Sequence, residues 1–178
     1  TVLPAFTDPH VHLLPTASTY CDVDCSPESV QTVRDIQTEI SKRVNKTPEG
    51  EWVRGFGYDA YYFHDKNLTK WDLDQASPRH PVRIRDRSGH ASIVNSAGLS
   101  RLNITNETDE PLGSTIDRDR ETGEVSGFLI EMENFITQRI PKLSVSELAW
   151  GLEQSGKDFL ANGITNVHDA SPYNSISE

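Results

Sequence analysis

His10 and His12 are the residues best placed to hold a metal ion in this 178-residue chain. They close the run Asp8-Pro9-His10-Val11-His12, which follows the apolar segment Val2 to Phe6. Side chains alternate along a β-strand, so two histidines one residue apart share a side. Imidazole is the commonest metal ligand, and the pair can offer two nitrogens to one ion. The apolar segment predicts a buried strand over Val2–Phe6. Its end is where parallel α/β folds keep their active sites. Asp8 falls on the same side as both histidines. It reads either as an acceptor that orients an imidazole or as a strand-end residue that caps a turn.

A second group of candidates lies downstream. His168 and Asp169 follow the apolar run Ile164 to Val167, which itself follows Gly163. Catalytic residues of barrels cluster at such strand ends, although neighbours on a strand face opposite ways and at most one can face the mouth. A buried structural His–Asp pair is the rival reading. His90 sits after the Ser88-Gly89 turn, either as a substrate contact or as a histidine between two strands. Asn95 reads as a helix cap, and Glu131 as a solvated acid at a helix entry. His64 and His80 lie in polar loops and receive no role. Arg83, Arg85 and Arg87 alternate on one strand, the pattern of an exposed face or, as the rival reading, of contacts to an anionic substrate. Cys21 and Cys25 are four apart, which allows a local disulfide or two thiols, with a metal role the weaker reading.

Composition narrows the partners. The net charge is −10, the hydrophobic fraction 35% and the mean hydropathy −0.56. That balance argues against nucleic acid and anionic membrane and leaves a small-molecule substrate, with a homo-oligomer open. No apolar run reaches the roughly 20 residues that cross a bilayer. The chain starts inside a strand-like segment with no secretory leader, as from the middle of a longer product. Four N-x-[ST] sequons, at Asn45, Asn67, Asn103 and Asn106 among nine asparagines, exceed the one or two that chance gives. They favour a secreted protein; without them a cytoplasmic location is the expectation.

The elements that must position these residues are readable. Leu13 to Cys25 is polar and reads as a loop over a site mouth. Ser26-Pro27-Glu28 predicts a helix start, and Val30, Val33, Ile36, Ile40 and Val44 give it one apolar stripe. Strands are predicted over Glu51–Gly57 and Val82–Arg85, with a helix over Lys70–Ala76 between them. Tyr58, Tyr61, Tyr62 and Phe63 read as packing. His90 to Val94 continues the strand pattern, and Asn95 opens a helix carrying Leu99 and Leu102. Asn103 to Glu121 reads as a surface excursion, and Thr122-Gly123 as a hairpin turn. Gly127 to Ile130 is a brief strand or the start of a helical run to Ile140. Ser144-Val145-Ser146-Glu147 is a capping box, opening a helix to Asn162 with Leu148, Leu152, Phe159 and Leu160 inward. Helix, glycine stop and strand in succession form a βα unit of a parallel sheet.

Pro4-Ala5-Phe6-Thr7-Asp8-Pro9-His10-Val11-His12 resembles the P-G-F-x-D-x-H-x-H opening of the amidohydrolase superfamily, with Ala5 in the glycine position. The segments Glu51 to Asp59, His90 to Leu99, Gly123 to Leu129 and Gly163 to Ala170 resemble the branch that includes N-substituted formamide deformylase. They run in that family's order. The resemblance implies the N-terminal portion of a partial TIM-type (β/α)8 barrel over residues 1–178, an α/β fold, with an inserted β-rich segment over about 50–130. It implies His10 and His12 as ligands to a divalent metal, zinc first, and hydrolysis of amide or N-formyl C–N bonds by a metal-activated water. It places His90 near the pocket. The family's other ligands, a carboxylated lysine or acid and two further histidines, are not identifiable here. Neither is its proton-shuttling aspartate, expected beyond residue 178. A partial barrel, inactive alone or a binding domain without metal, and a glycosylated structural module are the competing expectations.

Overall fold

The computed structural model describes residues 3–63 and 67–171; Val2 and His64 lie outside them. In chain order the elements are β1 (Phe6–Val11), α1 (Leu13–Thr19), β2 (Val23–Asp24), α2 (Val33–Val44), β3 (Val53–Tyr58), α3 (Lys70–Ala76), β4 (Val82–Asp86), β5 (Ala91–Val94), α4 (Ser96–Leu102), β6 (Thr115–Arg118), β7 (Val125–Ile130), α5 (Glu133–Thr137), α6 (Val145–Ala161) and β8 (Ile164–Asp169). They form a mixed α/β structure of two compact units, Thr1–Cys21 with Leu143–Glu178, and Asp22–Lys142.

In the first unit β1 and β8 pair in parallel, with Asp8 opposite Val167 and Val11 opposite Asp169. α6 begins at a full capping box: Glu147 N–H donates to Ser144 Oγ at 3.2 Å, and Ser144 N–H donates to the Glu147 carboxylate at 2.8 Å. Gly163, at φ +76°, turns the chain from α6 into β8, and its carbonyl accepts the Phe6 N–H at 2.8 Å. α1 lies against α6 at a very close approach. A Cβ at Gly151 would sit 2.2 Å from the Ala17 carbonyl oxygen, so only glycine fits there. The Tyr20 hydroxyl donates to the Asp158 carboxylate, and that bond, helped by burial, pushes the Tyr20 hydroxyl up to about 12.

Several expectations are corrected in this unit. Residues 3–5 form no strand; pairing starts at Phe6, which is 59% exposed, and Leu3 is 68% exposed. Their apolar character is not spent on a core, because β1 has a hydrogen-bonded neighbour on one side only among the described residues. The supposed loop after Leu13 is helix α1, with Pro15 in the first turn, where the missing N–H breaks no helical bond. Leu160 is 65% exposed; Gly151 and Ser155 are the buried residues of α6.

The second unit is a six-stranded sheet in the order β2-β3-β4-β5-β7-β6. β2, β3 and β4 run parallel; β5, β7 and β6 continue antiparallel. α2 and α3 supply Ile36, Ile40 and Leu73 to a core with Ile84, Ile93 and Tyr58. A second core gathers Val94, Leu102, Ile116, Leu129 and Ile136. Asn95 ties the two regions together. It is fully buried; its Oδ1 accepts from Val82 N–H at 2.8 Å and Gly98 N–H at 2.9 Å, and its Nδ2 donates to the Ser77 and His80 carbonyls, each at 2.9 Å. The helix cap read from sequence is thus also a four-way backbone clamp.

Here too local signals were overridden. Ser26-Pro27-Glu28 makes a turn, not a helix start, because Asp24 accepts the Ser26 N–H at 2.9 Å. Helix α2 starts later, at a capping box built by Thr32 and Asp35. The predicted surface excursion Asn103–Glu121 holds β6, and its Ile104 and Ile116 are buried. Tyr58 and Phe63 pack ring to ring at 5.0 Å, whereas Tyr61 is 80% exposed. A local disulfide does not form between Cys21 and Cys25, and Cys25 lies in the core. All four sequon asparagines are exposed.

Candidate metal centre

β1 positions the histidine pair. His10 lies on the strand, and His12 is the residue that opens α1. Their rings stand 5.3 Å apart, centroid to centroid, at 88° to each other. Val11, between them, is the only buried residue of the strand. His12 caps α1 with its backbone alone, since its side chain makes no capping bond. Its Nδ1 stands 3.5 Å from the Ser171 hydroxyl. Both imidazoles are exposed.

Asp8 serves the backbone: its Oδ1 accepts the His10 N–H at 3.0 Å. No bond joins Asp8 to either imidazole among the described residues. The bond it does make spans two residues within β1, where the register against β8 shifts between Asp8 and Val11.

β8 carries the second group. Asp169 is opposite Val11 in the parallel register, so alternation puts His168 on the side of His10 and His12. His168 is exposed. Asp169 Oδ1 accepts the Ser171 N–H at 2.9 Å, a bond that shapes the strand exit. The two strand ends therefore bring together residues more than 150 positions apart in sequence, as the Ser171–His12 approach records.

His90 belongs to the other unit. Its Nδ1 is 2.9 Å from Glu131 Oε1, and the Glu131 N–H donates to the His90 carbonyl at 2.8 Å. Glu131 adopts φ +55°, unusual for a residue with a side chain. The pair forms because β5 and β7 lie antiparallel, with Ala91 opposite Ile130, a long-range pairing that no local pattern announces.

The donors suit a divalent cation as a partial set. The two exposed imidazoles stand close together and make no helix-capping bond, and imidazole nitrogen is a preferred zinc or iron donor. Among the described residues no group of three or more His, Cys, Asp or Glu side chains converges on one point. Among the described residues, the His10–His12 pair falls short of the four donors that a tetrahedral site needs.

A model of the amidohydrolase family matches residues 1–178. The chain is 34% identical over 176 residues to an N-substituted formamide deformylase of Arthrobacter pascens, covering 96% of this chain and 32% of that protein. It is 30% identical over 180 residues to the putative amidohydrolase YtcJ of Bacillus subtilis (strain 168), covering 99% of this chain and 34% of that one. The chain spans about a third of the length of these relatives. Its fold is similar to that of an uncharacterized metal-dependent hydrolase from Pyrococcus horikoshii, with a TM-score of 0.61 at 21% identity, over 92% of this chain and 30% of that one. By its family match and its relatives, this chain belongs to the amidohydrolase family.

Proposed function

We propose that the chain contributes the first metal-binding strand of a hydrolase for non-peptide C–N bonds, such as amides or N-formyl groups. The observation that carries this reading is the His10–His12 pair, two exposed rings 5.3 Å apart at the end of β1. The partial-barrel reading fits the open β1–β8 pair. Parallel strands are ordinarily covered on both faces, and here Val11 is the one buried residue in either strand. Further strands and helices would have both an edge and a face to pack on.

His10 and His12 would hold the ion, with zinc the first choice for imidazole donors. When bound, the metal supplies a Lewis acid that polarises a carbonyl and lowers the pKa of water. The chain's own part is positioning. Asp8 fixes the backbone at His10, and α1 fixes it immediately after His12. A cation binds the neutral form of each imidazole, so metal and proton compete for the same nitrogens.

Zinc titration against a chromophoric chelator tests the reading. The parent should bind one equivalent, and His10→Ala or His12→Ala should each weaken binding by about tenfold or more. Equal affinity in all three proteins would remove the metal strand and leave a binding domain of the same fold.

A further inference from the structure

The sheet of Asp22–Lys142 carries a separate pocket. β2, β3 and β4 run parallel, and the crevice outside the carboxyl ends of such strands is the usual ligand position in open α/β sheets. A pocket of about 420 Å³ lies at this edge, lined by residues that include Ser26, Phe56, Gly57, Arg85 and Gly89. The backbone keeps it open. Gly57 has φ +83°, and a Cβ there would come within 3.1 Å of the Ser26 Cβ.

The charges around it are unevenly matched. Asp86 Oδ1 accepts the Ala91 N–H at 3.0 Å, and its Oδ2 accepts the Ser88 hydroxyl at 2.7 Å. Glu28 is paired with Arg87 at 3.6 Å. Arg85 is half-buried and has no hydrogen bond or ion pair among the described residues. Its field reaches the buried Asp22, which is engaged at 3.6 Å by Arg54. A guanidinium partly withdrawn from water keeps a planar fork of donors that matches a carboxylate in bidentate geometry. Phe56, also half-buried, adds an aromatic surface to the same pocket.

We propose that this pocket binds an organic carboxylate, its charged end on Arg85 and its apolar part against Phe56. The proposal does not rest on the metal strand, because every residue it uses lies within Asp22–Lys142.

Benzoate is the probe, titrated into the isotope-labelled 178-residue chain and followed by NMR. The Gly57 and Gly89 amides and the Arg85 side chain should shift saturably, with a Kd on the order of 1 mM. Arg85→Gln should weaken binding by about tenfold, and Arg85→Lys, which keeps the charge and with it the fold, by roughly threefold or more. The exposed Lys46→Gln should leave it unchanged. Neutral benzamide should produce no saturable shift. The proposal is overturned if both Arg85 variants bind as the parent does, or if benzamide binds as well as benzoate. Inorganic phosphate competing as strongly as benzoate would also overturn it, since the site would then be a simple anion site.

Discussion

Asn95→Ala should be among the most damaging single changes in the chain. The side chain is fully buried and makes four hydrogen bonds of 2.8 to 2.9 Å, two accepted and two donated, all to backbone groups. At about 1 kcal/mol net per bond the loss is roughly 4 kcal/mol. A typical domain has only about 5–15 kcal/mol in total. In urea, with a slope of about 2 kcal/mol per molar, the midpoint should move by about 2 M. Equilibrium unfolding followed by far-ultraviolet circular dichroism reads this directly. Asn95→Asp is the sharper companion. It keeps the two acceptor contacts but turns carboxylate oxygen toward the Ser77 and His80 carbonyls, so it should also destabilise, and more at neutral pH than in acid. An alanine variant within about 1 kcal/mol of the parent would refute the view that Asn95 joins α4, β4 and the His80 turn.

Three further outcomes follow from single contacts. Gly151→Ala puts a methyl 2.2 Å from the Ala17 carbonyl oxygen; α1 and α6 must part, at a cost of about 1–3 kcal/mol, seen as faster hydrogen exchange in both helices. Asp22 is raised above 3.8 because burial outweighs Arg54, Arg85, Arg43 and Arg83. Its folded form holds a proton that the unfolded chain has released, so stability falls as pH rises from 3.8 through the raised value. Asp22→Asn should flatten that part of the urea-midpoint profile; an unchanged slope would rule out burial as the dominant influence. Cys25 is held well above its ordinary range, first by burial and then by Asp24 and Asp22. Iodoacetamide should therefore alkylate the partly exposed Cys21 well ahead of it.

What the sequence disclosed was mostly local. Helix α3 occupies Lys70–Ala76 as its pattern indicates, and the Ser144 capping box opens α6. Asn95 caps α4. The H-x-H spacing brings the two rings within 5.3 Å without a tertiary partner, although His12 lies past the end of β1. What stayed hidden depends on partners far along the chain. Helix α1 lacks an apolar stripe of its own and is held by Ala17 against a glycine in α6. Ser26 loses its role as a helix start to the Asp24 side chain, and Thr32 takes it with Asp35. Ile116 is an isolated apolar residue in a charged segment until β6 pairs with β7 and sets it opposite Leu129. The His90–Glu131 contact needs the β5–β7 register as well.

The histidine pair also bears on how tightly metal could be held. A site's affinity depends on how many donors converge and on how little they must reorganise to do so. This chain meets the second condition more fully than the first. His10 is fixed by a strand and by the Asp8 bond to its N–H; His12 is fixed as the opening residue of α1. Exposure of both rings leaves their nitrogens open to an ion arriving from solvent. Donor number is then the limiting quantity. His168, placed by the β1–β8 register on the same side, is the nearest test of that limit. If it joins the pair when an ion is present, His168→Ala should weaken zinc binding nearly as much as His10→Ala. If it does not, the loss should stay within about twofold, and two imidazoles alone set the affinity.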